Sequence, residues 1–190
     1  GCHAKEFLPR PVPYPRLIVD YASQITTLKK LNLTVIEKNH GKVVAFCPGA
    51  EYGEAKRWPV EHFAQLATKL IQDNREVWIL GSAKDDGIGQ AIIKYLPPDI
   101  KRQQKCINLC GKTDLVQAID LLASANIVVT NDSGLMHIAA AVGTPLVALF
   151  GSSSPLYTPP LAARAQIASL HLSCSPCFKR TCPLKQDRKS

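Results

Sequence analysis

Between residues 42 and 150, short apolar runs alternate with amphipathic segments, and this alternation restricts the fold more than any other feature of the chain. The apolar runs lie near 43–47, 76–80, 106–109, 126–130 and 146–150, and the helical patterns near 60–73, 86–96, 114–124 and 134–142. A strand that is apolar along its whole length must be covered on both faces, and parallel neighbours need a helical crossover between them. The spacing therefore predicts an α/β domain, with a mainly parallel sheet, helices on both faces and right-handed crossovers. In such sheets ligands sit beyond the carboxyl ends of the strands. The loops at 49–56, 81–85, 111–113, 131–137 and 151–155 each follow a strand, so they gather along one edge.

The flanks read differently. Residues 1–15 hold Pro9, Pro11, Pro13 and Pro15, which favour an extended linker over helix. Helical spacing runs from Asp20, a suitable N-cap, to Leu31. We therefore divide the chain into a linker with a leading helix (1–40), a ligand-binding α/β domain (41–160) and a cysteine-rich basic tail (161–190), truncated or partly ordered. The tail carries one more candidate strand at 166–172.

Two strand-to-helix junctions carry the chemistry. At the first, Asn-Asp-Ser-Gly-Leu-Met-His (131–137) lies between the β-branched run ending at Thr130 and the helix-favouring Ile138-Ala139-Ala140-Ala141. A helix start presents unpaired N–H groups and a partial positive charge, which suits an anion such as phosphate. Asp132 and Ser133 can cap this helix, Gly134 lets a ligand approach the backbone, and His137 lies one turn in on the same face. The plainer reading is a well-capped helix. The second junction, 48–59, holds Gly49, Gly53, a Lys56-Arg57 pair and Trp58-Pro59. Its glycines and lysine suit a pyrophosphate, but it lacks the Gly-Lys-Ser/Thr ending of a Walker loop and is no dinucleotide fingerprint. As an exposed loop residue, Lys56 is expected to support binding rather than stability. Trp58 and Met136 read as packing residues.

Composition narrows the partners. The chain of 190 residues has 46% apolar and 20% charged residues and a formal net charge of +8. A basic balance favours anionic ligands. Aromatic residues are only 6% and no helix is a continuous Arg/Lys run, so a nucleic-acid platform is not supported. No apolar run reaches the ~18–20 residues of a membrane span, and the start has no secretory pattern.

Seven cysteines are an odd number for a disulfide framework. Cys47, Cys106 and Cys110 lie in or beside apolar runs and read as buried thiols of a reducing compartment. Cys174, Cys177 and Cys182 have a spacing that can ligate zinc, with His171 as a fourth ligand; free thiols are the alternative, and substoichiometric zinc is the expectation.

Residues 48–59, 81–85, 130–137 and 145–151 resemble successive blocks of the ADP-heptose:lipopolysaccharide heptosyltransferases, the heptosyltransferase II type most closely. The resemblance runs from about residue 42 to 160. It implies the C-terminal, donor-binding, Rossmann-like half of a GT-B fold. The half that binds the lipid A–core acceptor and carries the catalytic base is expected to lie outside these residues. The implied reaction is inverting transfer of L-glycero-D-manno-heptose from ADP-heptose to the inner core of lipopolysaccharide. No catalytic residue is then expected here. Lys56, Asp132, Ser133, Gly134 and His137 are implied to meet the donor's pyrophosphate and heptose, with Glu51 and Ser82 in neighbouring loops and Lys84 either near the nucleotide or simply solvated. No cofactor is required, and without an Asp-x-Asp motif no metal need bridge the phosphates. The resemblance also implies a cytoplasmic protein at the inner face of the inner membrane, where it allows a peripheral contact. Two readings compete. Another GT-B-type nucleotide-sugar enzyme, such as an epimerase, would need an acid/base carboxylate pair, and none is evident. A non-enzymatic cysteine or metal interaction module would centre on the tail.

Overall fold

The computed structural model describes residues 14–33 and 42–183; the expected linker at 1–13 and the last basic residues lie outside this range. Six strands form one sheet in the order β3-β2-β1-β4-β5-β6, and every neighbouring pair is parallel. The strands are β1 (Val43–Cys47), β2 (Glu76–Ile79), β3 (Cys106–Asn108), β4 (Ile127–Asn131), β5 (Leu146–Phe150) and β6 (Ala165–Ser169). The helices are α1 (Tyr21–Lys30), α2 (Val60–Gln72), α3 (Asp86–Tyr95), α4 (Pro98–Arg102), α5 (Leu115–Ser124) and α6 (Gly134–Val142). The order reverses direction between β1 and β4, the switch point beyond whose carboxyl ends ligands bind in sheets of this kind.

Burial explains why the central strand β1 is apolar throughout. Along β1, Val43, Ala45 and Cys47 enter one core, and Val44 and Phe46 enter the other. Successive side chains of a strand point to opposite faces, so each face needs its own apolar set. The first core is closed by Leu28 of α1, Leu121 and Leu122 of α5, and Met136, Ala139 and Ala140 of α6. The second is closed by Phe63, Ala67 and Ile71 of α2, Ile92 of α3 and Ile100 of α4. Helices thus cover both faces, as the alternation predicts.

Local signals set the helix ends. Asp20 accepts from the Ala22 N–H at 3.2 Å and caps α1. Asp114 and Gln117 form a reciprocal capping box on α5. Gly143, at φ +79°, ends α6 in the left-handed conformation that glycine adopts without steric cost. The leading helix is tied to the domain through a buried carboxylate: Asp120 accepts from Ser23 Oγ at 2.8 Å and Thr27 Oγ1 at 2.7 Å.

Two elements differ from the sequence expectation. Helix α4, absent from the expected helical patterns, begins at Pro98; a proline at the first helical position costs nothing because its N–H would be unpaired there anyway. The strand expected over 166–172 instead spans Ala165–Ser169, and His171 turns away at φ +49°. β6 continues the sheet past residue 160, pairing with β5 from Leu146–Ala165 to Phe150–Ser169.

Candidate anion-binding site at the sheet crevice

The loops after β1 and β4 meet at the crevice. After β1 the chain makes a 3-10 turn, Glu54–Lys56, before α2; after β4 it passes directly into α6. Asn131 locks the two loops together. Its side chain is fully buried; Nδ2 donates to Pro48 O at 2.7 Å and Oδ1 accepts from the Trp58 N–H at 3.0 Å. Lys56 lies inside this bracket, and its Nζ forms an ion pair with Asp132 Oδ2 at 2.5 Å. The lysine side chain is 16% exposed and the aspartate 4%. Lys56 is therefore not the exposed loop lysine that the sequence suggests: removing it strands a buried carboxylate. Trp58 stacks on His62 and meets Phe63 edge-on, with ring centroids 5.4 Å and 4.9 Å apart, so it fixes the root of the loop by packing. Met136 is fully buried in the core, also a packing residue.

Asp132, Ser133, Gly134 and His137 surround the start of α6. Ser133 occupies the N-cap position with extended backbone, but its hydroxyl makes no capping bond. The Asp132 carboxylate is instead committed to Lys56. The first-turn N–H groups of α6 thus receive no side-chain cap, which leaves them available to an anion. A Cβ added to Gly134 would meet nothing within 4 Å, so the backbone is open to approach at this point. His137 is exposed one turn further on.

Glu51 and Ser82 are each engaged by a neighbouring side chain. Glu51 pairs with Lys84 at 2.9 Å, both side chains largely in solvent. The hydrogen bond from Lys84, and its charge, hold the Glu51 carboxyl below its usual range; the same bond raises Lys84. Ser82 is engaged with Asp85, whose Oδ2 accepts from the Ser82 N–H at 2.9 Å and its hydroxyl at 2.8 Å. A Cβ on Gly49 would lie 2.6 Å from the Asp85 carboxylate, so this glycine is needed for the close approach of the two loops.

The tail folds back over the β1 loop, which the sequence does not reveal. Ala55 N–H donates to Arg180 O at 2.9 Å, Tyr52 Oη donates to Phe178 O at 2.8 Å, and Phe178 N–H donates to Ser152 O at 2.7 Å. A Cβ on Gly53 would lie 2.5 Å from Arg180 O. Between this tail, the β1 loop and the ends of β5 and β6 lies a mainly apolar cavity of about 480 Å³. Cys174, Cys177, Cys182 and His171 line it, yet among the described residues no three His, Cys, Asp or Glu side chains gather as a metal site. The three tail cysteines are free thiols. Cys47 and Cys110 are buried and Cys106 half-buried; burial pushes the Cys47 thiol far up and the other two to about 12.

Asn131, Asp85 and Arg180 are the site-forming residues that sequence reasoning missed. Asn131 and Asp85 fall within the motifs, but their roles depend on which loops become neighbours. Arg180 reads as one charge among several in a basic tail.

Comparison with known proteins places the fold in a family. Residues 5–187 match the family model for glycosyltransferase family 9 (heptosyltransferase). The chain is 48% identical over 170 residues to lipooligosaccharide heptosyltransferase 2 of Haemophilus influenzae, covering 87% of the chain and 49% of that protein. It is 45% identical to lipopolysaccharide heptosyltransferase 2 of Escherichia coli, covering 86% and 45%. The solved structure of E. coli ADP-heptose LPS heptosyltransferase II superposes with a TM-score of 0.77 at 44% identity, over 85% of this chain and 47% of that one. The chain spans about half the length of the curated relatives it matches. The shared open parallel sheet and the extent of the match make this chain a member of glycosyltransferase family 9.

Proposed function

We propose that this chain is the donor-binding half of an inverting heptosyltransferase, holding ADP-heptose while an acceptor hydroxyl of the lipopolysaccharide inner core attacks the anomeric carbon. The observation that carries the reading is the Lys56–Asp132 pair beside the open start of α6, at the crevice where the strand order reverses. As the bond to the anomeric carbon breaks, negative charge builds on the β-phosphate. Lys56 and the first-turn N–H groups of α6 are already oriented there, and preorganised charge of this kind lowers the barrier because nothing has to reorganise. Asp132 holds the ammonium in position. Gly134 gives the phosphate access to the backbone, while Ser133 and His137 offer polar contacts around it. Glu51 and Ser82 stand in neighbouring loops, Glu51 paired with Lys84 and Ser82 with Asp85.

The base that activates the acceptor hydroxyl belongs to residues outside this chain, in the part that binds the lipid A–core acceptor. Such an acceptor implies work at the cytoplasmic face of the inner membrane. No helix among the described residues is long and apolar enough to cross a membrane.

Titration of the chain with ADP, ADP-heptose, UDP and UDP-glucose tests the reading. Binding of the two adenine nucleotides, with the uridine nucleotides weaker, is expected. Equal affinity for all four, or none for any, would overturn it.

A further inference from the structure

We infer that Arg180 is a second phosphate-binding cation of the donor site, brought to the β1 loop by the folded-back tail. The inference rests on the donor-binding reading and adds a residue that lies far from every motif behind it.

Charge balance raises the need. Lys56 is paired with a buried carboxylate, so the pair is close to neutral as a unit. Lys84 is likewise paired, with Glu51. A diphosphate leaving group carries more negative charge than a neutralised lysine and a helix start can match. Arg180 is exposed and forms no ion pair among the described residues.

Geometry puts it on the aromatic ring that Lys56 also meets. The Tyr52 ring is shared by two cations: Lys56 Nζ and Arg180 Cζ each lie 5.2 Å from its centroid. A cation over an aromatic face is held there electrostatically without losing its hydrogen-bonding capacity at the edge. The backbone holds Arg180 independently of its side chain, through the Ala55 N–H bond to its carbonyl and its close packing on Gly53. Tyr52 in turn is tied to the tail by its hydroxyl. A guanidinium so held offers a planar fork of donors that fits two phosphate oxygens, whereas the lysine supplies a point charge.

Because the anchoring bonds are main-chain, Arg180→Ala removes the guanidinium and leaves the tail attached. Calorimetric titration of the full chain compares wild type, Arg180→Ala and Arg180→Lys with ADP, AMP and adenosine. Arg180→Ala is expected to weaken ADP about tenfold, AMP less, and adenosine not at all. Arg180→Lys should recover part of the loss, and raised salt should shrink the difference. Equal losses for all three ligands would make Arg180 a structural latch and overturn the inference. So would unchanged ADP affinity in a wild-type background that binds ADP. A wild-type chain that does not bind ADP would overturn the donor-binding reading itself, and this inference with it.

Discussion

Two lysines follow two neighbouring strands, and each meets a carboxylate. Lys56 pairs with Asp132 and Lys84 pairs with Glu51. The side chains are 16% and 4% exposed in the first pair, and 77% and 81% in the second. In water an ion pair gains little over its hydrated parts, whereas a shielded one, whatever its net gain after desolvation, leaves a stranded charge if broken. The same pair of residue types is therefore shielded in one place and solvated in the other. Burial makes the difference, and burial comes from Asn131 clamping the first pair between two loops.

The largest expected effect comes from breaking the inner pair at its carboxylate, in an enzyme that also contains the acceptor-binding part. Asp132→Ala should lower heptose transfer about 100-fold, the order seen when one preoriented stabilising group is lost. His137→Ala, acting from the exposed side of the helix start, should cost about tenfold. The assay is transfer from ADP-heptose to a heptosylated lipid A–core acceptor. This chain alone should show no turnover; if it does, the base lies within these residues and the donor-half assignment falls.

Breaking the pair from the other side sharpens the comparison. Lys56→Ala should weaken ADP binding by about 1.5–3 kcal/mol through loss of a charge-assisted contact. It should also destabilise the fold by about 1–2 kcal/mol, because Asp132 stays buried without its partner. Denaturant unfolding and calorimetry read the two effects separately. A Lys56→Ala variant of unchanged stability would mean that Asp132 finds water or another donor, and the contrast with Lys84 would lose its basis.

Much of this was legible in the sequence, for identifiable reasons. The sheet and its two helical layers follow from apolar runs and helical spacing, signals that are local in the chain. Lys56, Asp132, Gly134 and His137 were readable as types because strand-to-helix turns are where anion sites form. That Lys56 touches Asp132 was not readable, since it needs β1 and β4 to be neighbours across the switch in strand order. The side-chain cap expected from Asp132 or Ser133 is absent for a related reason: a tertiary partner, Lys56, draws the Asp132 carboxylate away, while the Ser133 hydroxyl lies 3.5 Å from Thr130 Oγ1. Arg180 was the least legible, because a basic tail gives no hint that its backbone packs on Gly53.

The thiols offer a smaller but position-resolved test of which surfaces are open. Alkylation at pH 8, read by peptide mass spectrometry, should label exposed Cys174 and Cys177 within minutes. Cys47, Cys106 and Cys110 should stay unlabelled until the chain is denatured, because burial raises each thiol pKa and the thiolate is the reactive form. Early labelling of Cys47 or Cys110 would mean that the sheet opens under native conditions.

The smallest effect is expected at the outer pair, and its smallness is what the comparison requires. Glu51 is held below its usual carboxyl range by the hydrogen bond from Lys84, then by the charge of that lysine. A lowered carboxyl pKa contributes stability above the unfolded value and loses it as pH falls through the folded one. Lys84 is raised by the same contact, so its contribution is present below its unfolded value and fades as pH rises through the folded one. Both side chains stand in solvent, where screening removes most of that linkage. Lys84→Ala and Glu51→Gln should therefore melt within about 2 °C of wild type, with no separate step in an acid titration. ADP affinity should also be unchanged, since both side chains stand in solvent and are paired with each other. A clear loss of ADP binding in Lys84→Ala, with stability intact, would move this lysine into the donor site and show that exposure does not rank the two pairs.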